Sequence, residues 1–144
     1  RDMPYELAYQ CAEDLKQAGY YVIQFCNKQE QALNNVNEVS LDELDPMHYL
    51  SVMLHSHKNI LIDSSLQHVA RALNKESVVV WGSTKPERLG YDFHVNIDLG
   101  MPEKQSLEGV FESYDFSGPA HQCPIIEPRT IAYEEIRNYI VKKS

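Results

Sequence analysis

The sequence predicts an α/β fold with a parallel sheet in three layers, formed by a single domain over residues 1–144. Three observations carry this expectation. Short apolar runs rich in Val, Ile and Tyr alternate with stretches of helical length and periodicity, the pattern of parallel βαβ units. The segment from Ile60 to Thr84 reads as buried strand, tight turn, short helix, second buried strand and glycine-containing loop. A hydrophobic content of 43% over 144 residues is enough for one core.

Each element follows from its own pattern. Leu7, Ala8, Cys11, Ala12 and Leu15 recur at three- and four-residue spacing after Pro4, which predicts a helix closed by Gly19. Tyr21 to Cys26 is β-rich and predicts a strand. A polar segment with Asn34, Asn35 and Asn37 follows, and Val39 to Leu41 reads as a short edge strand. Asp45 is an N-cap candidate ahead of Pro46, and Tyr49, Leu50, Met53 and Leu54 form an apolar stripe running to Ser56. Asn59 to Ile62 is the next strand. Ser64 or Ser65 caps a helix carrying Val69, Ala70, Ala72 and Leu73, and Asn74 supplies its C-terminal stop. Ser77 to Trp81 is a strand, Gly82 to Gly90 a loop, and His94 to Asp98 a last, weaker strand. Residues 99–124 hold glycines and prolines without periodicity and read as an irregular excursion. Ala132 to Val141, with Ile136, Tyr139 and Ile140 on one face, reads as a closing amphipathic helix.

Charge and cysteine usage narrow the partners. A net charge of −8 argues against nucleic acid or an anionic membrane as a broad partner, so any phosphate ligand must be held by a local site. Cys11, Cys26 and Cys123 are odd in number and far apart, which predicts free thiols in a reducing, cytoplasmic compartment rather than a disulfide framework. No run approaches the roughly 18 apolar residues of a membrane span, and nothing resembles a signal peptide. Arg1 is not a natural start and the first pattern is already a helix, so the chain reads as a fragment lacking an upstream strand.

The candidate site lies where the strand ending at Ile62 becomes a helix. Asp63, Ser64, Ser65, Leu66 and His68 gather there. In a parallel sheet such a junction opens into a crevice, and the helix N-terminus presents unpaired N–H groups to an anion. The amides of Ser64, Ser65 and Leu66 are expected to face a diphosphate, with His68 about one turn further on. Gly82, Ser83 and Thr84 end the neighbouring strand on the same edge and would complete the cradle. Asp63 would repel phosphate, so it is assigned to sugar or acceptor hydroxyls or to orienting His68. An ordinary N-cap at Asp63-Ser-Ser and a core histidine at His68 are the structural alternatives.

Other features point less far. Gly82 would relieve crowding under Trp81 as readily as approach a ligand. Lys85 and Arg88 are loop cations, and Tyr91 and Phe93 are packing aromatics that could also stack on a base. Asp63, Ser64 and His68 on one elbow do not line up as a hydrolytic triad, and the Gly-x-Ser-x-Gly turn is missing. His55 and His57 are two apart on a helix and diverge, and His121 with Cys123 lacks the second pair a structural zinc needs.

The run Asp63-Ser-Ser-Leu-Gln-His68-Val-Ala-Arg-Ala-Leu-Asn-Lys, followed by a strand and Trp81-Gly-Ser-Thr-Lys-Pro86, resembles the carboxy-terminal half of glycosyltransferase family 9, the heptosyltransferase-like enzymes. The opening helix before a Gly-Tyr-x-Val-type strand and the late Cys123 extend the likeness over most of the chain. The resemblance implies one Rossmann-like half of a two-domain GT-B architecture. This half would hold a nucleotide-diphosphate sugar, while the missing domain would hold a glycan or lipid-linked acceptor. It implies metal-independent sugar transfer, no cofactor, and no transfer by this fragment alone. A non-catalytic nucleotide- or sugar-binding module and a GT-B-type sugar-nucleotide epimerase are the alternatives. One departure stands out: the family's glycine after Ser/Thr is Ser65 here, which would cost about 1 kcal/mol if the position required a positive φ.

Overall fold

The structure is a computed structural model that describes residues 3–28, 30–41, 45–82, 84–99 and 130–142. In chain order these form α1 (Tyr5–Gln17), β1 (Ile23–Cys26), β2 (Glu38–Leu41), α2 (Pro46–His55) and β3 (Ile60–Ile62). There follow α3 (Ser65–Ala72), β4 (Val78–Trp81), α4 (Pro86–Leu89), β5 (Val95–Asp98) and α5 (Thr130–Val141). The α/β class and the parallel pairing follow the sequence reading. The stretch expected as a loop from Gly82 to Gly90 instead contains the one-turn α4, because Pro86 fixes φ at its first position. The excursion over 99–124 lies outside the described residues except for Leu99.

Among the described residues the strands form two parallel sheets. β1 pairs with β2, and β3-β4-β5 form the second sheet with β4 at its centre. β3 is only three residues long, and its second edge carries no strand among the described residues. Residues 27–37 connect β1 to β2 through turns and bends among the described positions. Asn35 anchors this connection by donating Nδ2–H to the Tyr9 carbonyl and to the Glu13 carboxylate, both at 2.9 Å.

The helix ends obey local chemistry. Asp45 caps α2 by accepting from the Met47 amide at 3.0 Å, with Pro46 in the first turn. α1 ends in a Schellman motif: Tyr20 N–H donates to Leu15 O and Gly19 N–H to Lys16 O, with Gly19 at φ +89°. α3 ends the same way. Lys75 N–H reaches Ala70 O at 2.8 Å and Asn74 N–H reaches Arg71 O at 3.1 Å, with Asn74 at φ 56°. Asparagine tolerates this left-handed position better than other non-glycine residues, which is why it stops the helix.

One face of the three-stranded sheet packs against α1 and α5. Val78, Val80 and Ile97 from the strands meet Leu7 and Cys11 of α1 and Ala132, Ile136 and Ile140 of α5, all buried. Burial pushes the Cys11 thiol up to about 12, helped by the charge of Asp14, so this sulfur is inert. Two tyrosines fasten α5: Tyr133 donates its hydroxyl to Asp14 at 2.8 Å, and Tyr139 donates to the Glu76 carbonyl at 2.9 Å.

Alternation along β4 turns Val79 and Trp81 to the opposite face, where both are fully buried. Trp81 donates its indole N–H to Asn96 at 2.9 Å. Gly90, at the end of α4, lies against this indole. A Cβ there would lie 2.6 Å from the Pro86 carbonyl oxygen and 3.1 Å from Trp81 Cζ2. Neither neighbour can retreat, since one is backbone and the other is sealed in the core. Gly90→Ala should therefore destabilise the fold by about 1–3 kcal/mol. Equilibrium unfolding in denaturant measures this, and an unchanged midpoint would show that the α4 turn adjusts freely.

Candidate functional site

The β3–α3 junction is built from its caps. Ser64 is the N-cap of α3: its backbone is extended and its Oγ accepts from the Leu66 amide at 3.3 Å. Of the three amides expected at the helix start, that of Leu66 is thus already paired. Ser65 is the first helical residue and is exposed. Its amide has no acceptor within the helix, as for any first-turn residue. It is helical rather than left-handed, so it carries no backbone strain.

Asp63 turns inward. It is 7% exposed, and its two carboxylate oxygens are divided between neighbours. Oδ1 accepts from Gln67 Nε2 at 3.0 Å, and Oδ2 accepts a short hydrogen bond from the Thr84 hydroxyl. Thr84 is itself buried. The residues after β3 and after β4 therefore meet across the sheet edge, 21 positions apart in sequence. Both bonds are to a charged acceptor, the stronger class at about 1.5–3 kcal/mol each. A carboxylate at the start of α3 also gains from the helix dipole, by about 0.3–1 kcal/mol or more when partly buried.

His68 is exposed on the first turn of α3 and is oriented by Tyr91 rather than by Asp63. Its Nδ1 lies 2.9 Å from the Tyr91 hydroxyl, and the two rings meet edge to face at 5.5 Å between centroids. Tyr91 is thereby placed against an imidazole on each side, since His94 lies edge-on to it at 5.9 Å. Phe93 carries the Arg71 guanidinium over its ring at 4.7 Å, a cation–π contact worth about 0.5–1 kcal/mol at an exposed site. The segment 91–94 thus clasps the outer face of α3 at Gln67, His68 and Arg71.

The remaining predicted residues separate. Gly82 follows β4 and is half-buried, and Ser83 lies outside the described residues. Lys85 forms an ion pair with Asp98 at the end of β5, at 2.9 Å. Arg88 is exposed. His55 donates Nδ1–H to the Ser51 carbonyl within α2, and His121 and Cys123 lie outside the described residues. Among the described residues no group of three His, Cys, Asp or Glu side chains converges on a metal-sized site. No described helix is long and apolar enough to cross a membrane.

Sequence reasoning missed Gln67 and His94. Gln67 is fully buried at the third helical position, where Ser64-Ser-Leu-Gln67 fits a capping box. That spacing was a readable signal, but the amide reaches back one residue further, to Asp63. His94 is buried and donates Nε2–H to the Gln67 carbonyl at 3.1 Å, since a carbonyl can only accept. No local pattern marked it. Gln67 Oε1 and His94 Nδ1 are both buried without a partner among the described residues. Such orphans are uncommon in folded proteins.

Comparison of the chain with protein-family models, curated proteins and solved structures finds no match.

Burial holds the His94 imidazole below its ordinary value of 6.5; the Gln67 carbonyl opposes the shift, the charges of Arg71 and His68 reinforce it, and Glu76 opposes it. Below pH 6.5 the unfolded chain takes up a proton that the folded protein refuses, so stability falls as the pH drops through that window. His94→Gln, which keeps a donor for the Gln67 carbonyl, should flatten the decline. Unfolding midpoints for both proteins from about pH 8 to about pH 5 read this directly, and parallel curves would exclude His94 as the source.

Proposed function

We propose that this domain binds the diphosphate of a sugar nucleotide at the carboxy edge of β3 and β4, as the donor-binding half of a glycosyltransferase. The observation that carries the reading is the convergence of Asp63 and Thr84, two separately predicted site residues, at the mouth of the β3-α3-β4 unit. Drawing the Asp63 carboxylate inward separates its charge from the exposed first turn, where Ser65 and His68 are accessible. Anion binding at a helix start needs outward amides, and Ser65 supplies one. The Ser65 hydroxyl and His68 Nε2 add side-chain donors to the same turn.

The rest of the reading follows from the resemblance to glycosyltransferase family 9. The two parallel sheets belong to one three-layer, Rossmann-like half of a GT-B enzyme, and a second domain supplies the glycan or lipid-linked acceptor and its base. Transfer needs no metal or other cofactor: amide and imidazole donors stabilise the departing diphosphate. A cytoplasmic setting fits the buried thiol of Cys11. A non-catalytic binding module is favoured by one observation: the carboxylates at this edge are engaged, Asp63 by Gln67 and Thr84 and Asp98 by Lys85. Neither is placed to deprotonate an acceptor. Nucleotide release that depends on added acceptor separates enzyme from module.

Thermal-shift titration with ADP, UDP, GDP, CDP and TDP, with and without attached sugars, tests the reading. A bound diphosphate at a hundredfold excess over Kd stabilises the fold by about 2.7 kcal/mol. A folded protein indifferent to every one at millimolar concentration would sink the proposal. His68→Ala should weaken the same binding by about 1–3 kcal/mol and leave the melting temperature of the free protein nearly unchanged. Unaltered affinity together with a large drop in melting temperature assigns His68 to the fold instead.

A further inference from the structure

The Tyr91 hydroxyl does something that packing does not require. Its ring already sits edge-on to His68 and His94, at 5.5 and 5.9 Å, yet the hydroxyl also reaches His68 Nδ1 at 2.9 Å. An exposed histidine on a helix surface ordinarily samples several rotamers and both neutral tautomers. This one is held by a ring and a hydrogen bond together. Tyr91 is fixed in turn: its carbonyl accepts from Asn96 Nδ2 at 2.9 Å, and Asn96 Oδ1 accepts from the buried Trp81 indole at 2.9 Å. Trp81 and Asn96 stand on the adjacent strands β4 and β5, so the chain of contacts ends in the sheet core.

We infer that Tyr91 is a positioning residue that sets the tautomer of His68, holding it as an Nε2–H donor aimed at the anionic ligand. The argument is one of proton inventory. Neutral imidazole carries a single N–H, and a phenol is a better donor than acceptor. When the Tyr91 O–H donates to Nδ1, the imidazole proton resides on Nε2. Among the described residues no partner engages Nε2, which leaves that N–H for a phosphate or sugar oxygen beyond the first turn of α3. An unconstrained ring would divide its population between a donor and an acceptor at that atom, and an acceptor repels phosphate. The ligand role rests on the diphosphate-binding reading; the tautomer itself does not.

The two parts are separated by experiment. Long-range proton–nitrogen correlation spectra of the ¹⁵N-labelled protein, at a pH where His68 is neutral, report which ring nitrogen carries the proton. His68 is expected as the Nε2–H tautomer in the wild type and as a mixture in Tyr91→Phe, which keeps the ring contacts and loses only the hydroxyl. Calorimetric titration with inorganic pyrophosphate and with the five nucleoside diphosphates should then show affinity about three- to tenfold weaker in Tyr91→Phe, the usual range for one hydrogen bond's worth of orientation. The Nδ1–H tautomer in the wild type overturns the inference without any variant, as does a folded Tyr91→Phe with the wild-type tautomer and affinity. If the wild type binds none of these probes, the diphosphate reading fails, while the spectra still decide whether Tyr91 sets His68.

Discussion

The buried carboxylate of Asp63 organises the central part of this molecule. A charge taken out of water must be met by hydrogen bonds, or it costs several kcal/mol. Here the Thr84 hydroxyl and the Gln67 amide meet it, and each donor comes from a different segment. Satisfying one side chain therefore fixes three things: the turn out of β3, the first turn of α3, and the loop after β4. Removing either donor would leave a buried negative charge short of a partner, so the three segments hold their arrangement together or not at all.

α3 shows why this matters. At eight residues it is well below the length at which an isolated helix is stable in water, so its order comes from its surroundings. Ser64 caps its start, and Asn74 in the left-handed region closes its end. The segment 91–94 holds its outer face through three unlike contacts: a guanidinium over Phe93, an imidazole against Tyr91, and the His94 donor on the Gln67 carbonyl. The Gln67 side chain reaches Asp63 while its carbonyl receives His94. Among the described residues, Gln67 thus links the buried carboxylate to the clasp.

The same arrangement decides how an anion could approach. With Asp63 withdrawn, the surface of the first turn presents hydroxyl, amide and imidazole groups and no exposed carboxylate of its own. Lys85, after β4, is paired with Asp98 and contributes a neutral pair rather than a net positive charge, and the Arg71 guanidinium of α3 lies over the Phe93 ring. For the proposed diphosphate, recognition at this edge would rest on directed donors, which read a ligand's shape as well as its charge. The net charge of −8 works in the same direction, since it discourages loosely held polyanions.

The sequence by itself determined the elements and their punctuation. Apolar spacing located α1, α2, α3 and α5, Asp45-Pro46 and Ser64 marked helix starts, and Gly19 and Asn74 marked helix ends, because each of these depends on residues within a few positions of one another. It also pointed to the parallel pairing of β3 with β4, since a helix-length segment separates them. It did not determine that the described strands divide into two sheets, that Pro86 opens a turn of helix, or that Gly90 lies against the Trp81 indole. Those depend on which surfaces meet, and the residues concerned are far apart in the chain. The site divides along the same line. Asp63, Ser64 and His68 were legible as a strand-to-helix junction, but the partners that give them roles, Thr84 at 21 residues' remove and Tyr91 at 23, are brought there by the sheet. Hydrogen bonding is directional and acts over about 3 Å, so only the tertiary structure could say which donor each acceptor finds.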